Sequence, residues 1–216
     1  MRGLVNNNVV RLGLIAGVLA IVLVSTPAAH AVTTSSTNSQ LSQQITAGTI
    51  STSIRDAGGA VVASPSFTLG SVAVSTVQQT ATGTFGSNTQ RITVDNPGGA
   101  DNGWVLSLAA TSGASATWVS GGNSYAFNGT AATGQLTINP AAGTLTPTGT
   151  NTATGITKGT SAAFASSTPI TLLTAGTTAE KIWNGYITGI GVSQTIPASQ
   201  PVGTYTISLT QTLTSS

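Results

Sequence analysis

The sequence predicts an all-β fold: an antiparallel β-sandwich, Greek-key-like, behind a cleaved N-terminal signal peptide. Two observations carry this. Short apolar alternations of period two recur from Ile45 to the C-terminus, punctuated by Gly, Pro and Asn. Charge is scarce, at 5% of residues, while mean hydropathy is positive, the reverse of a disordered chain.

The elements follow in order. Ile50, Thr52 and Ile54 share one face of a first strand, and Asp56–Gly59 is a turn into a return strand at Val61–Val62. Phe67 and Leu69 have the opposite parity to Val72 and Val74, so Gly70 marks a bulge or bend. Gln90–Asp95 alternates with Ile92 and Val94 inward, and the loop from Asn96 to Gly103 leads to Trp104, Leu106 and Leu108 on one face. Ala116–Val119, Gln135–Asn139 and Gly143–Thr146 read as further short strands. Gly185–Ile196 is expected to put Tyr186, Ile190, Val192 and Ile196 on one side. In the last strand Tyr205, Ile207, Leu209, Gln211 and Leu213 alternate with Ser and Thr. Thr177–Trp183 is the one stretch suited to a helical turn, and Thr144–Thr168 reads as a long loop or a poorly ordered stretch.

The chain divides into a signal peptide (1–31), a polar lead-in (32–44) and one β-domain (45–216). Arg2 and Arg11 flank the apolar run Leu12–Val24, Pro27 follows, and Ala29-His30-Ala31 supplies the small-x-small cleavage pattern. That run is too short to cross a bilayer, so no membrane span is expected after cleavage. The leader also removes Arg2, Arg11 and the single histidine, His30. Arg55, Arg91, Lys158 and Lys181 then balance Asp56, Asp95, Asp101 and Glu180. Nucleic acid and anionic membrane lose their electrostatic support. The expected destination is the extracellular cell surface.

The inventory argues against catalysis. With no cysteine and no histidine after cleavage, Ser–His, Cys–His and thiolate or imidazole metal chemistry have no residues to use. The four carboxylates fall in turns or at element ends, where turn-forming roles are usual. No cofactor is expected. The loop Asp95–Asn102 offers oxygen ligands to a hard cation such as calcium, but lacks EF-hand spacing; a Gly-rich hairpin closed by Asx side chains is favoured. Aromatic rings are the remaining candidates, because flat faces stack on sugars while a polar tip keeps a partner. Trp104 is a core anchor first and a binding residue second. Trp118, beside Gly121-Gly122 and near Tyr125, suits a rim, and Trp183 lies close to Tyr186.

The segment Ile92–Leu108 (ITVDNPGGADNGWVLSL) resembles the first motif of the WxL domain, a cell-wall-binding module of Gram-positive surface proteins. The C-terminal stretch from Ile196-Pro197-Ala198 to Leu213 is similar to that family's last strand. There the second motif reads Gln211-Thr212-Leu213, with Gln where the family has Trp. The resemblance implies a secreted β-sandwich held non-covalently at the wall, with peptidoglycan or another wall glycan as ligand. Trp104 and Leu106 would then join Trp118, Trp183 and Tyr186 as ligand-binding candidates. The alternative expectation is a structural subunit of a surface filament or layer, self-associating by strand addition. A third is a stand-alone protein that docks onto larger wall proteins.

Overall fold

The computed structural model describes residues 41–100, 102–166 and 168–216. The expected signal peptide, most of the polar lead-in, and Asp101 of the candidate cation loop lie outside the described residues. Contacts group Ile45–Ser216 into one compact unit, and all description below concerns it.

The fold is an all-β sandwich of antiparallel strands. The first sheet has the order β1-β3-β12-β8, formed by Ser51–Arg55, Arg91–Pro97, Ile182–Thr188 and Thr144–Pro147. The second is β10-β7-β13-β2, from Ala162–Ala163, Gln135–Asn139, Ile190–Ile196 and Gln79–Phe85. The third is β14-β4-β11-β9, from Leu209–Ser215, Trp104–Ala110, Ile170–Ala175 and Ile156–Lys158. A hairpin of β5 (Thr117–Ser120) and β6 (Asn123–Ala126) stands apart.

The first two sheets are halves of one bent surface. Three chain segments run from one into the other: β2 into β3, β7 into β8, and β12 into β13. Each bends at a defined point. Gly86 (φ 84°) and Gly189 (φ 69°) take left-handed backbone at facing corners, where the Gly189 N–H donates to the Gly86 carbonyl at 2.9 Å. The third corner is a 3-10 turn at Pro140–Ala142, whose carbonyls, with that of Gly143, are held by Lys158: its Nζ donates to Ala141 O at 2.7 Å and Gly143 O at 2.6 Å.

The third sheet closes the sandwich. Trp104, Leu106 and Leu108 point inward from β4 and are 0–1% exposed, as the period-two reading expects. Opposite them sit Ile92 and Val94 of β3, Trp183 and Ile187 of β12, and Leu136 and Ile138 of β7, all in one apolar cluster. A bulge between Thr171 and Leu173 breaks the alternation of β11, so that Leu172 and Leu173 are both fully buried. Gly185 matters here because its missing side chain leaves room for the Trp183 ring: a Cβ there would collide with the six-membered ring.

Four expectations need correction. Gly185–Ile196 is not one strand with one inward set. Trp183, Gly185 and Ile187 face inward before the Gly189 bend, and Ile190 and Gln194 after it, so Tyr186 lies on the outer face. Thr177–Trp183 holds a turn, with Ala179 N donating to Gly176 O, and then enters β12; the short helical turns are instead Gly113–Ser115 and Pro140–Ala142. Val61 makes a single bridge to Arg55, and the chain from Pro65 to Ser75 joins no named strand. Thr144–Thr168, expected as a long loop or a poorly ordered stretch, carries β8, β9 and β10, and buries Phe164 against Phe127 at 5.2 Å between ring centroids.

Candidate functional site

A groove of about 670 Å³ lies between the segment Ser66–Ser75, the β5–β6 hairpin and the loop Ile196–Thr206. Its aromatic wall begins with the hairpin. Ser120 faces Asn123 across a two-residue Gly121-Gly122 turn, and the positive φ of Gly121 (57°) suits the first central position of such a turn. That register sets Trp118 directly opposite Tyr125. The two rings stack with centroids 6.1 Å apart and planes 11° from parallel. Thr206 bridges to Val119 through paired backbone hydrogen bonds of 3.0 Å, which brings Tyr205 to 5.1 Å from the Tyr125 ring.

Two of the three rings, Trp118 and Tyr205, are fixed by polar tethers. Trp118 Nε1 donates to Gln194 Oε1 at 2.7 Å, and Gln194 is fully buried in β13, its amide donating to Thr195 O at 2.7 Å. Tyr205 donates to Pro201 O at 3.0 Å and accepts from Gln200 Nε2 at 2.8 Å. Burial holds the Tyr125 hydroxyl neutral and pushes its pKa up to about 12, with neighbouring Tyr205 adding to the shift.

The opposite wall is the extended segment laid along the edge of β2. Gly70 N donates to Thr82 O at 2.7 Å, and Leu69 packs over Gly83, where an added Cβ would crowd Leu69 and the Thr68 carbonyl. Phe67 meets Phe85 edge-on at 4.6 Å. Ser66 exchanges hydrogen bonds with the Gln90 side chain, and Ser75 O accepts from Ser199 N. Val74 and Val202 stand exposed on the groove lining. Among the described residues that line it, none carries a charge; Ser, Thr and Gln supply the polar atoms.

The residues singled out from sequence fall in three places. Trp104, Leu106 and Trp183 are fully buried; the Trp104 and Trp183 rings meet at 5.5 Å in the core and offer no face to solvent. Tyr186 lies on the outer face of the first sheet, its ring covered by the Arg91 guanidinium at 4.5 Å. Trp118 alone lies in the groove. From the sequence, Tyr205 stands out only as a strand residue and Tyr125 only as a neighbour of Trp118. The signal for Tyr125 was the Gly-Gly hairpin, which pairs it with Trp118.

In the Asp95–Asn102 loop, Asn96 makes the closure. Its side chain is fully buried, accepting from Gly99 N at 2.9 Å and Ala100 N at 3.1 Å, and donating to Lys181 O at 3.0 Å. Its oxygen is thus already taken by two backbone N–H groups. Glu180 is likewise engaged, and its carboxyl is held below the ordinary range by hydrogen bonds from Asn151 and then Thr152.

The Tyr125 shift has a defined pH consequence. A pKa raised in the folded state means that the stability it reflects is intact below about pH 10 and is lost as pH rises through about 12. Unfolding midpoints followed across this window should fall for the native chain and fall less for Tyr125→Phe. Equal slopes would mean that the hydroxyl is not shielded.

Comparison with known protein families, characterised proteins and solved structures finds no match for this chain.

Proposed function

We propose that this is a secreted, non-catalytic surface protein that binds the Gram-positive cell wall non-covalently, with the aromatic groove holding a peptidoglycan glycan strand. One observation carries the reading: Trp118, Tyr125 and Tyr205 cluster in a groove whose described lining has no charge. Stacking rings among hydroxyl and amide groups suit the apolar faces and equatorial hydroxyls of a neutral sugar chain. A polyanion would need lysine or arginine at the site. The resemblance to the WxL domain supports the same ligand, although its first-motif residues Trp104 and Leu106 serve the core here.

A second reading, a filament or layer subunit built by strand addition, is favoured by the uncharged strand β14 at the edge of its sheet.

Adsorption to purified, protein-free cell walls tests the first reading, with sedimentation of the protein alone as the parallel arm. The native chain should pellet only with walls. Tyr205→Ala and Val74→Asp, both at partly open groove positions, should weaken adsorption about tenfold, the equivalent of roughly 1.4 kcal/mol. Unchanged adsorption by both variants would remove the groove from the proposal. Pelleting without walls would favour the filament.

A further inference from the structure

We propose that Gln194 is the positioning residue of the aromatic groove: from inside the sandwich it sets where the β5–β6 hairpin stands, and so presents Trp118 and Tyr125 to the ligand. The inference rests on the wall-glycan reading and adds how this chain holds that site in shape.

Polar side chains are scarce in the core. Among the described residues, Asn96 and Gln194 alone are polar and fully buried. Asn96 closes its own loop, whereas Gln194 serves no turn. It lies on the inner face of β13 in line with Ile190, with Ala81 of β2 on one side and Leu136 of β7 on the other. A methionine or leucine would fill such a place without the cost of withdrawing an amide from water. The amide is directed instead at the hairpin. Its Oε1 accepts from Trp118 Nε1 of β5 at 2.7 Å, and its Nε2 donates to Ala126 O at the end of β6 at 3.4 Å. The second Nε2 proton goes to Thr195 O at 2.7 Å and fixes the side chain on its own strand. One side chain thereby holds both strands of the hairpin.

That hold matters because the hairpin has few other attachments. Its two strands pair with each other and join none of the three sheets. Among the described residues, the backbone of Thr117–Ala126 bonds to backbone outside the hairpin at one place, the Val119–Thr206 pair. Thr206 belongs to the neighbouring loop of the groove, so that pair ties wall to wall. Gln194 supplies the polar fastening to the sandwich, beside the packing of Trp118 on the core. Ring placement follows from it. Trp118 stacks on Tyr125 and Tyr125 meets Tyr205, so a Trp118 ring free to turn would loosen all three. Rings already held in their binding geometry lose less freedom when a sugar stacks on them.

Two readouts on the full chain test this, one of them independent of any ligand. Trp104 and Trp183 are fully buried, so a soluble fluorescence quencher such as acrylamide reads Trp118, the third and last tryptophan. Gln194→Met keeps the length and apolar bulk of the side chain and removes the amide. Quenching should rise, with denaturant unfolding showing that the core still stands, and adsorption to protein-free cell walls should fall about tenfold. In a Trp118→Phe background, which lacks the indole N–H, Gln194→Met should lower adsorption less than about twofold further, because residues acting through one bond are not additive. Gln194→Leu repeats the removal, so that misfolding of one variant does not decide the matter. Unchanged quenching in the folded variants, or equal adsorption losses in both backgrounds, would make Gln194 an ordinary core residue and overturn the inference. A native chain that does not adsorb removes the wall reading instead. Quenching then decides alone whether Gln194 places the hairpin.

Discussion

Trp104→Ala should lower stability by about 3–5 kcal/mol, the usual range for truncating a fully buried tryptophan. The ring sits at 0% exposure on the inner face of β4, shares that face with Leu106 and Leu108, and meets Trp183 of the opposing layer at 5.5 Å. Removing it opens a cavity where two sheets touch, and β4 is the strand to which both β14 and β11 are hydrogen-bonded. The indole Nε1 has no acceptor in the core, so no hydrogen bond is lost, and removing the unpaired N–H moves the expected loss toward the lower end of that range. Denaturant unfolding measures the change, and wall adsorption of the fraction that remains folded separates packing from binding. The fold should suffer and the folded fraction should still adsorb. A Trp104→Ala chain of native stability that had lost only adsorption would return Trp104 to the binding surface.

The strands that were legible in the sequence are those with one face in the core. β3, β4, β7 and the stretch from Leu209 to Leu213 alternate because every second side chain is withdrawn from water, and the pattern records it; Tyr205–Ser208, expected in the same strand, lies outside β14. Legibility failed where burial and parity part company. At Gly189 a single left-handed residue moves the inward set from Ile187 to Ile190, a step of three that period-two reading cannot anticipate. Val61, Val72 and Val74 have strand-like propensity but stay exposed, and the segment is tied down instead by Gly70, Ser66 and the rings of Phe67 and Phe85. The groove was the least legible feature. Trp118 is oriented by Gln194 and Tyr125 is approached by Tyr205, contacts spanning about 80 residues of chain that leave no local periodicity.

Asn96→Asp is expected to be the second severe substitution, and its pH dependence identifies the cause. Asn96 is fully buried at the end of β3, and both ends of its amide are used. Oδ1 accepts from the backbone of Gly99 and Ala100, which an aspartate oxygen would also do. Nδ2 donates to Lys181 O at 3.0 Å and to Ala100 O at 3.4 Å, and there a carboxylate would set oxygen against oxygen with no water to separate them. The loss at neutral pH should exceed about 3 kcal/mol, since a buried charge and two carbonyls lose their compensation together. Desolvation and the facing carbonyls raise the pKa of the new carboxyl in the folded state above its unfolded value. Stability should therefore return as the pH falls through that raised pKa, because the protonated acid again donates to Lys181 O, and be lost as it rises. Unfolding midpoints of Asn96→Asp and Asn96→Ala measured from acidic to neutral pH make the comparison. The alanine variant lacks the titrating group and should follow the native profile at lower stability. Parallel profiles for the two variants would show that the loop is open to water and that Asn96 does not hold it closed.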